Sequence, residues 1–151
     1  MQAKEIMSKD VIVVYEADTI EDVAKLLVEK KISGVPVVDS ERKLIGILSE
    51  ADLVFQQKKL SAPMFFTLFD GIIQLGKSAY FDEIKKLSAY QVADLMTKEK
   101  LIFAYPETDI SDLASLMIKN KINRIPIIGP NGEVVGIVSR YDIVKATYAS
   151  K

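Results

Sequence analysis

Apolar and polar positions follow two periodicities that appear twice along the chain, in the same order. Val11–Val14 is a β-branched run and predicts a short strand. Ile20, Val23, Ala24 and Leu27 then recur at helical spacing. They are preceded by Asp18/Glu21 or Thr19/Asp22 at capping-box spacing, so an amphipathic helix is expected to end near Lys30–Ile32. Ser33-Gly34 breaks it, and Val35-Pro36-Val37-Val38 resumes as a strand whose proline, lacking an N–H, belongs at a strand start or an edge. Asp39–Lys43 reads as a polar turn, Leu44–Leu48 as a second strand, and Ser49 opens another helix. On the second pass Ile110, Leu113, Ala114 and Met117 form the inward stripe. A strand around Ile125–Ile128, a Gly129-Pro130-Asn131-Gly132 turn and a strand Val134–Val138 predict an antiparallel hairpin, with a helix from Ser139.

The recurrence is a duplication. KKISGVPVVDSERKLIGILSEADLV and NKINRIPIIGPNGEVVGIVSRYDIV align without gaps, Asp142 lying 142 − 52 = 90 positions after Asp52. Each copy reads β-α-β-β-α, an α/β (α+β) pattern, and neither is long enough to bury much alone. The expectation is one module in which the two repeats, 1–58 and 91–151, pack across a pseudo-twofold axis. Between them, 59–90 is an apolar insert with PMFFTLFDGIIQLG at its centre. Asp70-Gly71 fits a hairpin turn or a broken helix, and FDEIKKLSAYQVADLM one helix or two helical pieces. The insert either packs on the domain or a second subunit, or its Phe cluster lids a ligand pocket.

Composition narrows the function. With 20 Lys+Arg against 21 Asp+Glu there is no electrostatic footprint for nucleic acid or an anionic membrane, so neither is expected as a partner. No stretch reaches the ~18 uninterrupted apolar residues of a membrane span. MQAKEIMSKD lacks the apolar core of a signal peptide, and a cytoplasmic location is expected. The chain has neither His nor Cys. That removes Ser-His and Cys-His nucleophile pairs and the usual zinc, iron and copper ligands, so it is not expected to be an enzyme or to carry a metal. Asp52 and Asp142 also lack a basic partner or metal cluster in sequence.

The chemistry concentrates in GILSEAD (46–52) and GIVSRYD (136–142). Ser-x-x-Asp at a helix start is a capping pair in its own right. The same place also suits a nucleotide. Free N–H groups and the serine hydroxyl favour a phosphate, and a carboxylate in the first turn can accept both hydroxyls of a ribose. Val35, Val37, Ile47, Ile125, Ile127 and Ile137 offer flat apolar walls for a purine.

Taken with the G-V-P-V-V and R-I-P-I-I strands, these motifs resemble a tandem pair of CBS domains, a Bateman module, over both copies. The resemblance implies a stand-alone regulatory sensor that binds AMP, ADP, ATP or an S-adenosylmethionine-type ligand in clefts between the repeats, with no obligatory cofactor. It also implies a homodimer and a regulated protein on another, unidentified polypeptide. Carried over residue by residue, one cleft would use Ile12 by the base and Ser33 and Gly34 for backbone contacts. In the same cleft Ser139 would hold phosphate or ribose, Asp142 the diol, and Arg124 and Arg140 the phosphate, with Ile125 on the wall. The mirror cleft would use Ile102, Asn123, Arg124, Ser49 and Asp52. Glu50 stands where Arg140 does and Gly34 where Arg124 does, so the Ser139/Asp142 cleft is expected to prefer more phosphate. The competing reading is a structural or dimerisation module whose motifs are only caps.

Overall fold

Helix and strand boundaries follow the capping chemistry. The computed structural model describes residues 1–56 and 90–149. In the first repeat the elements are α1 (Ala3–Ile6), β1 (Val14–Tyr15), α2 (Ile20–Lys30), β2 (Gly34–Val38), β3 (Leu44–Ser49) and α3 (Glu50–Gln56). The second has α4 (Val92–Leu95), α5 (Ile110–Asn120), β4 (Arg124–Ile128), β5 (Val134–Ser139) and α6 (Arg140–Val144), which runs into a π-helical turn, Lys145–Ala149. The expected order is present in the first repeat; in the second the early strand is reduced to a single bridge between Ala104 and Ile127, and each repeat is preceded by one extra helical turn. The insert 59–90, apart from Tyr90, lies outside the described residues.

Of the two capping pairs offered for α2, Thr19 is the cap, its Oγ1 accepting from Asp22 N at 3.1 Å. Asp18 turns the other way and accepts from Tyr15 N at 2.8 Å. Asp109 caps α5 by accepting from Ser111 N at 3.0 Å. Both long helices end on a lysine in the left-handed region, Lys31 and Lys121, each at φ 54°. The chain therefore turns two residues before Ser33-Gly34, on residues that pay the left-handed penalty glycine avoids.

Two sheets form, ordered β1-β2-β3 and β4-β5. β4 and β5 are antiparallel, with Arg124 opposite Ser139 and Ile125 opposite Val138, and an irregularity between Ile127 and Ile128. Two expectations fail here. Pro36 sits in the third position of β2, the middle strand, not at a start or an edge. The early strand expected at Val11–Val14 is only the two-residue β1. Repeat 2 gives the reason. Ala104 N donates to Pro126 O at 3.0 Å and Ile128 N to Ala104 O at 2.9 Å. The next link of this parallel ladder requires an N–H on residue 126, which proline lacks, so pairing stops at one bridge.

The chain divides into two compact units, Met1–Val13 with Val38–Ile45 and Glu99–Lys151, and Val14–Val37 with Gly46–Lys98. In the first, Ala3, Ala104, Leu113, Met117, Ile125, Ile127 and Val138 form the core, with Ile6, Met7, Ile102 and Leu116 against it. Ile110 and Ala114, expected inward with Leu113 and Met117, are only half-buried. A second cluster joins Val11, Val38 and Val134. The hairpin turns of both repeats meet inside this unit: Leu44 N donates to Gly132 O and Val134 N to Arg42 O, each at 3.0 Å. The second unit buries Ile20, Val23, Ala24, Leu27, Val35, Val37, Leu48, Leu53 and Val92.

Each unit also takes in an arm from the opposite repeat. In the first, Ser8 bridges Ile137 of β5. In the second, Thr97 bridges Ile47 of β3, and Thr19 bridges Gln91. Among the described residues no helix is long and apolar enough to cross a membrane.

Candidate functional site

The two motifs fold alike, each at the point where a hairpin strand becomes a helix. In the first unit Ser139 is the N-cap of α6, and its side chain accepts from Asp142 N at 3.2 Å. Asp142 Oδ2 in turn accepts from Ser139 N and Ser139 Oγ, both at 2.8 Å. In the second unit Asp52 Oδ2 accepts from Ser49 N at 2.9 Å and Ser49 Oγ at 3.2 Å. The capping box is therefore closed in the second repeat, while in the first only its aspartate half is made among the described residues. That half engages one carboxylate oxygen and leaves the other for something else.

The start of the hairpin is tied to the same spot. Arg140 N donates to Asn123 O and Glu50 N to Ser33 O, each at 2.9 Å. The fold thus gathers Asn123, Arg124, Ser139, Arg140 and Asp142 at one end of the first unit. Ser33, Gly34, Ser49 and Asp52 gather at the corresponding end of the second. Ile125 is fully buried behind Arg124, whereas Ile102 and Ile12 are half-buried in the first unit. Ile102 packs on the core that contains Ile125 and Val138.

The repeats differ where the sequence predicted. A β-carbon on Gly34 would come within 3.2 Å of Leu48 O and 3.5 Å of Ser49 Cα, so the backbones approach closely there. Arg124 takes the equivalent place opposite Ser139. Arg140 is exposed and its Nε donates to Ile122 O at 3.2 Å, which fixes the guanidinium beside the Ser139 corner. Both aspartates are half-buried, and among the described residues no cluster of acidic side chains could hold a metal ion.

Sequence reasoning missed the residue that touches Asp52 from outside its motif. Thr97 Oγ1 donates to Asp52 Oδ1 at 3.3 Å. The signal was the repeated pair Met7-Ser8 and Met96-Thr97, which precedes each early strand.

Comparison with known proteins agrees with this geometry. Residues 3–58 and 92–149 each match the CBS domain family. An uncharacterised protein of Methanocaldococcus jannaschii is 37% identical over 154 residues, spanning 97% of this chain and 90% of that protein. The chloroplast CBS domain-containing protein CBSX2 of Arabidopsis thaliana is 32% identical over 144 residues, covering 92% of this chain but only 59% of the plant protein. The structure of CBSX2 in complex with AMP superposes with a TM-score of 0.74 at 27% identity, covering 99% of this chain and 97% of that one. The CBS domain pair of protein MJ0100, in complex with 5′-methylthioadenosine and S-adenosyl-L-methionine, has a TM-score of 0.72 at 23% identity, covering 100% and 98%, and shares the fold. With the motif folded in both repeats and the family matched over both, the chain belongs to the CBS domain family and carries two CBS domains.

Proposed function

We propose that this chain is a regulatory sensor that binds adenine nucleotides or related adenosyl ligands at the Ser-x-x-Asp corner of each repeat, and that it has no catalytic role. The observation that carries this reading is the half-used carboxylate. Asp142 Oδ2 is consumed by its own serine, and Oδ1 accepts no hydrogen bond among the described residues. A half-buried carboxylate oxygen beside apolar strands suits the hydroxyls of a ribose. The AMP-bound relative at 27% identity supports the same chemistry.

In this reading Ser139 and Asp142, with Asn123, Arg124, Ile125 and Arg140, serve one ligand. Ser49 and Asp52, with Ser33 and Gly34, serve the other, and Ile12 and Ile102 supply apolar contacts to the bases. This grouping differs from the one the resemblance implied, which set Ser33 and Gly34 with Ser139 and Asn123 with Asp52. It follows the bonds from Glu50 N to Ser33 O and from Arg140 N to Asn123 O. The arginines at the first corner, against Gly34 and Glu50 at the second, favour a ligand with more phosphate there. A bound ligand acts by its differential affinity for alternative arrangements of the chain, which a regulated polypeptide then reads in the cytoplasm. The exposed apolar side chains of Ile118 (77%), Tyr141 (72%) and Tyr148 (72%) support a homodimer.

Thermal melts with AMP, ADP, ATP and S-adenosylmethionine test the reading. A ligand at a hundred times its dissociation constant stabilises the fold by about 2.7 kcal/mol, a visible rise in Tm. A melt unmoved by all of them would leave the motifs as caps and the chain as a structural module.

A further inference from the structure

The two motif carboxylates differ in how much of their hydrogen-bonding capacity remains. An ionised carboxylate has about four lone-pair sites, two on each oxygen. In both repeats Oδ2 is filled by the N–H and the hydroxyl of the motif serine. At Asp142 both sites on Oδ1 are left, matching the two hydroxyls of a ribose. At Asp52 one of them is taken by the Thr97 hydroxyl.

Thr97 is not held there by that bond. Its backbone exchanges two hydrogen bonds of 2.9 Å with Ile47, and Met96 beside it lies over Gly46. Ser8 occupies the same place in the first unit, exchanging two bonds of 3.0 Å with Ile137. Its hydroxyl makes no hydrogen bond to Asp142. The difference between the corners therefore lies in one hydroxyl delivered by the arm.

We infer that Thr97 is a specificity-determining residue of the Asp52 corner: its hydroxyl caps one acceptor site that a ribose diol needs. The inference rests on the nucleotide reading above. A diol at Asp52 either leaves one hydroxyl without that acceptor or displaces Thr97. The 3.3 Å bond is exposed and long enough to be displaced. The Asp142 corner thus discriminates ribose from deoxyribose more strongly than the Asp52 corner does.

Calorimetric titration of the full chain with AMP and 2′-deoxy-AMP tests this. The Asp142→Asn variant reports the Asp52 corner, and Asp52→Asn the Asp142 corner. Adding Thr97→Val should raise the preference of the Asp52 corner for AMP over 2′-deoxy-AMP by roughly two- to tenfold, the worth of one net hydrogen bond. The Asp142 corner should not change. Thr97→Ser, which restores the hydroxyl, should return the original preference, and Ser8→Ala should leave both corners as they were. Thr97→Ala reads the same loss if the valine variant folds poorly. An unchanged preference at an Asp52 corner that binds AMP, or a gain that persists in Thr97→Ser, overturns the assignment and leaves the nucleotide reading intact. A wild-type chain that binds none of AMP, ADP, ATP or S-adenosylmethionine overturns both.

Discussion

Met7 lies directly over Gly136: a β-carbon built on that glycine would stand 2.8 Å from Met7 Cγ and 3.1 Å from Met7 Cβ. At Gly46 the corresponding β-carbon would stand 2.8 Å from Met96 Sδ and 3.1 Å from Thr97 O. The glycine that opens each Gly-Ile-x-Ser-x-x-Asp motif is therefore the seat of a methionine arriving on an arm from the other repeat. Gly136→Ala should destabilise the chain by about 1–3 kcal/mol, the usual range for overpacking, read as a lowered urea midpoint. Met7→Ala in the same chain should recover part of that loss, because the two changes meet at one contact. At Gly46 the obstacle includes a backbone oxygen, so Met96→Ala should rescue Gly46→Ala less well.

The caps make a second, smaller test. Thr19 accepts from Asp22 N, whereas Asp18 serves the turn before the helix. Thr19→Ala should cost about 1 kcal/mol through the lost α2 cap. Amide exchange at Asp22 should accelerate in Thr19→Ala and stay as it was in Asp18→Ala. The reverse result would assign the cap to Asp18.

Asp109 gives a pH dependence with a definite sign. Hydrogen bonds from Ser111, the backbone N–H first and then the hydroxyl, hold its carboxyl below the usual carboxylate range. A folded-state pKa below the unfolded one means that the ionised form favours folding. That contribution is present above the ordinary carboxylate pKa and is lost as pH falls through the lower folded value. Urea midpoints measured from pH 5 down to pH 2 should fall more for the wild-type chain than for Asp109→Asn. Parallel curves would show that the helix cap carries no net charge preference.

Much of this was legible in sequence because it is local. The Pro130-Asn131-Gly132 turn between β-branched runs specified the β4–β5 hairpin, and the Ser-x-x-Asp spacing specified the capping box that closes on Ser139. Position in a sheet was not local. Pro36 falls in a middle strand because β1 lies alongside β2 on the side away from β3; the proline shortens that pairing, but which segment lies there is not encoded in the run Val35–Val38. The end of α2 fell at Lys30, inside the expected Lys30–Ile32, but the residue that makes the left-handed turn is Lys31, with Lys121 in the second repeat, and not the Ser33-Gly34 pair. Gly34 is needed instead for close approach to Leu48 and Ser49. The arms were the least legible feature. Nothing in MSKD or MTKE says which hairpin each lies against, and the Thr97–Asp52 bond spans 45 positions of chain.

The motif aspartate has two duties, and they can be separated. Asp142 Oδ2 accepts both Ser139 N and Ser139 Oγ at 2.8 Å, so removing the carboxylate removes a cap as well as a ligand contact. Asp142→Ala should therefore lower stability by about 1 kcal/mol. It should also weaken AMP binding at that corner by roughly tenfold, the worth of charge-assisted hydrogen bonds. Ser139→Ala removes the hydroxyl from the same capping box but spares the carboxylate. It should cost comparable stability while keeping the preference of that corner for AMP over 2′-deoxy-AMP. If Asp142→Ala lowered the melting temperature yet bound AMP as the parent chain does, the carboxylate would be a cap alone, and recognition of the ribose would have to come from elsewhere.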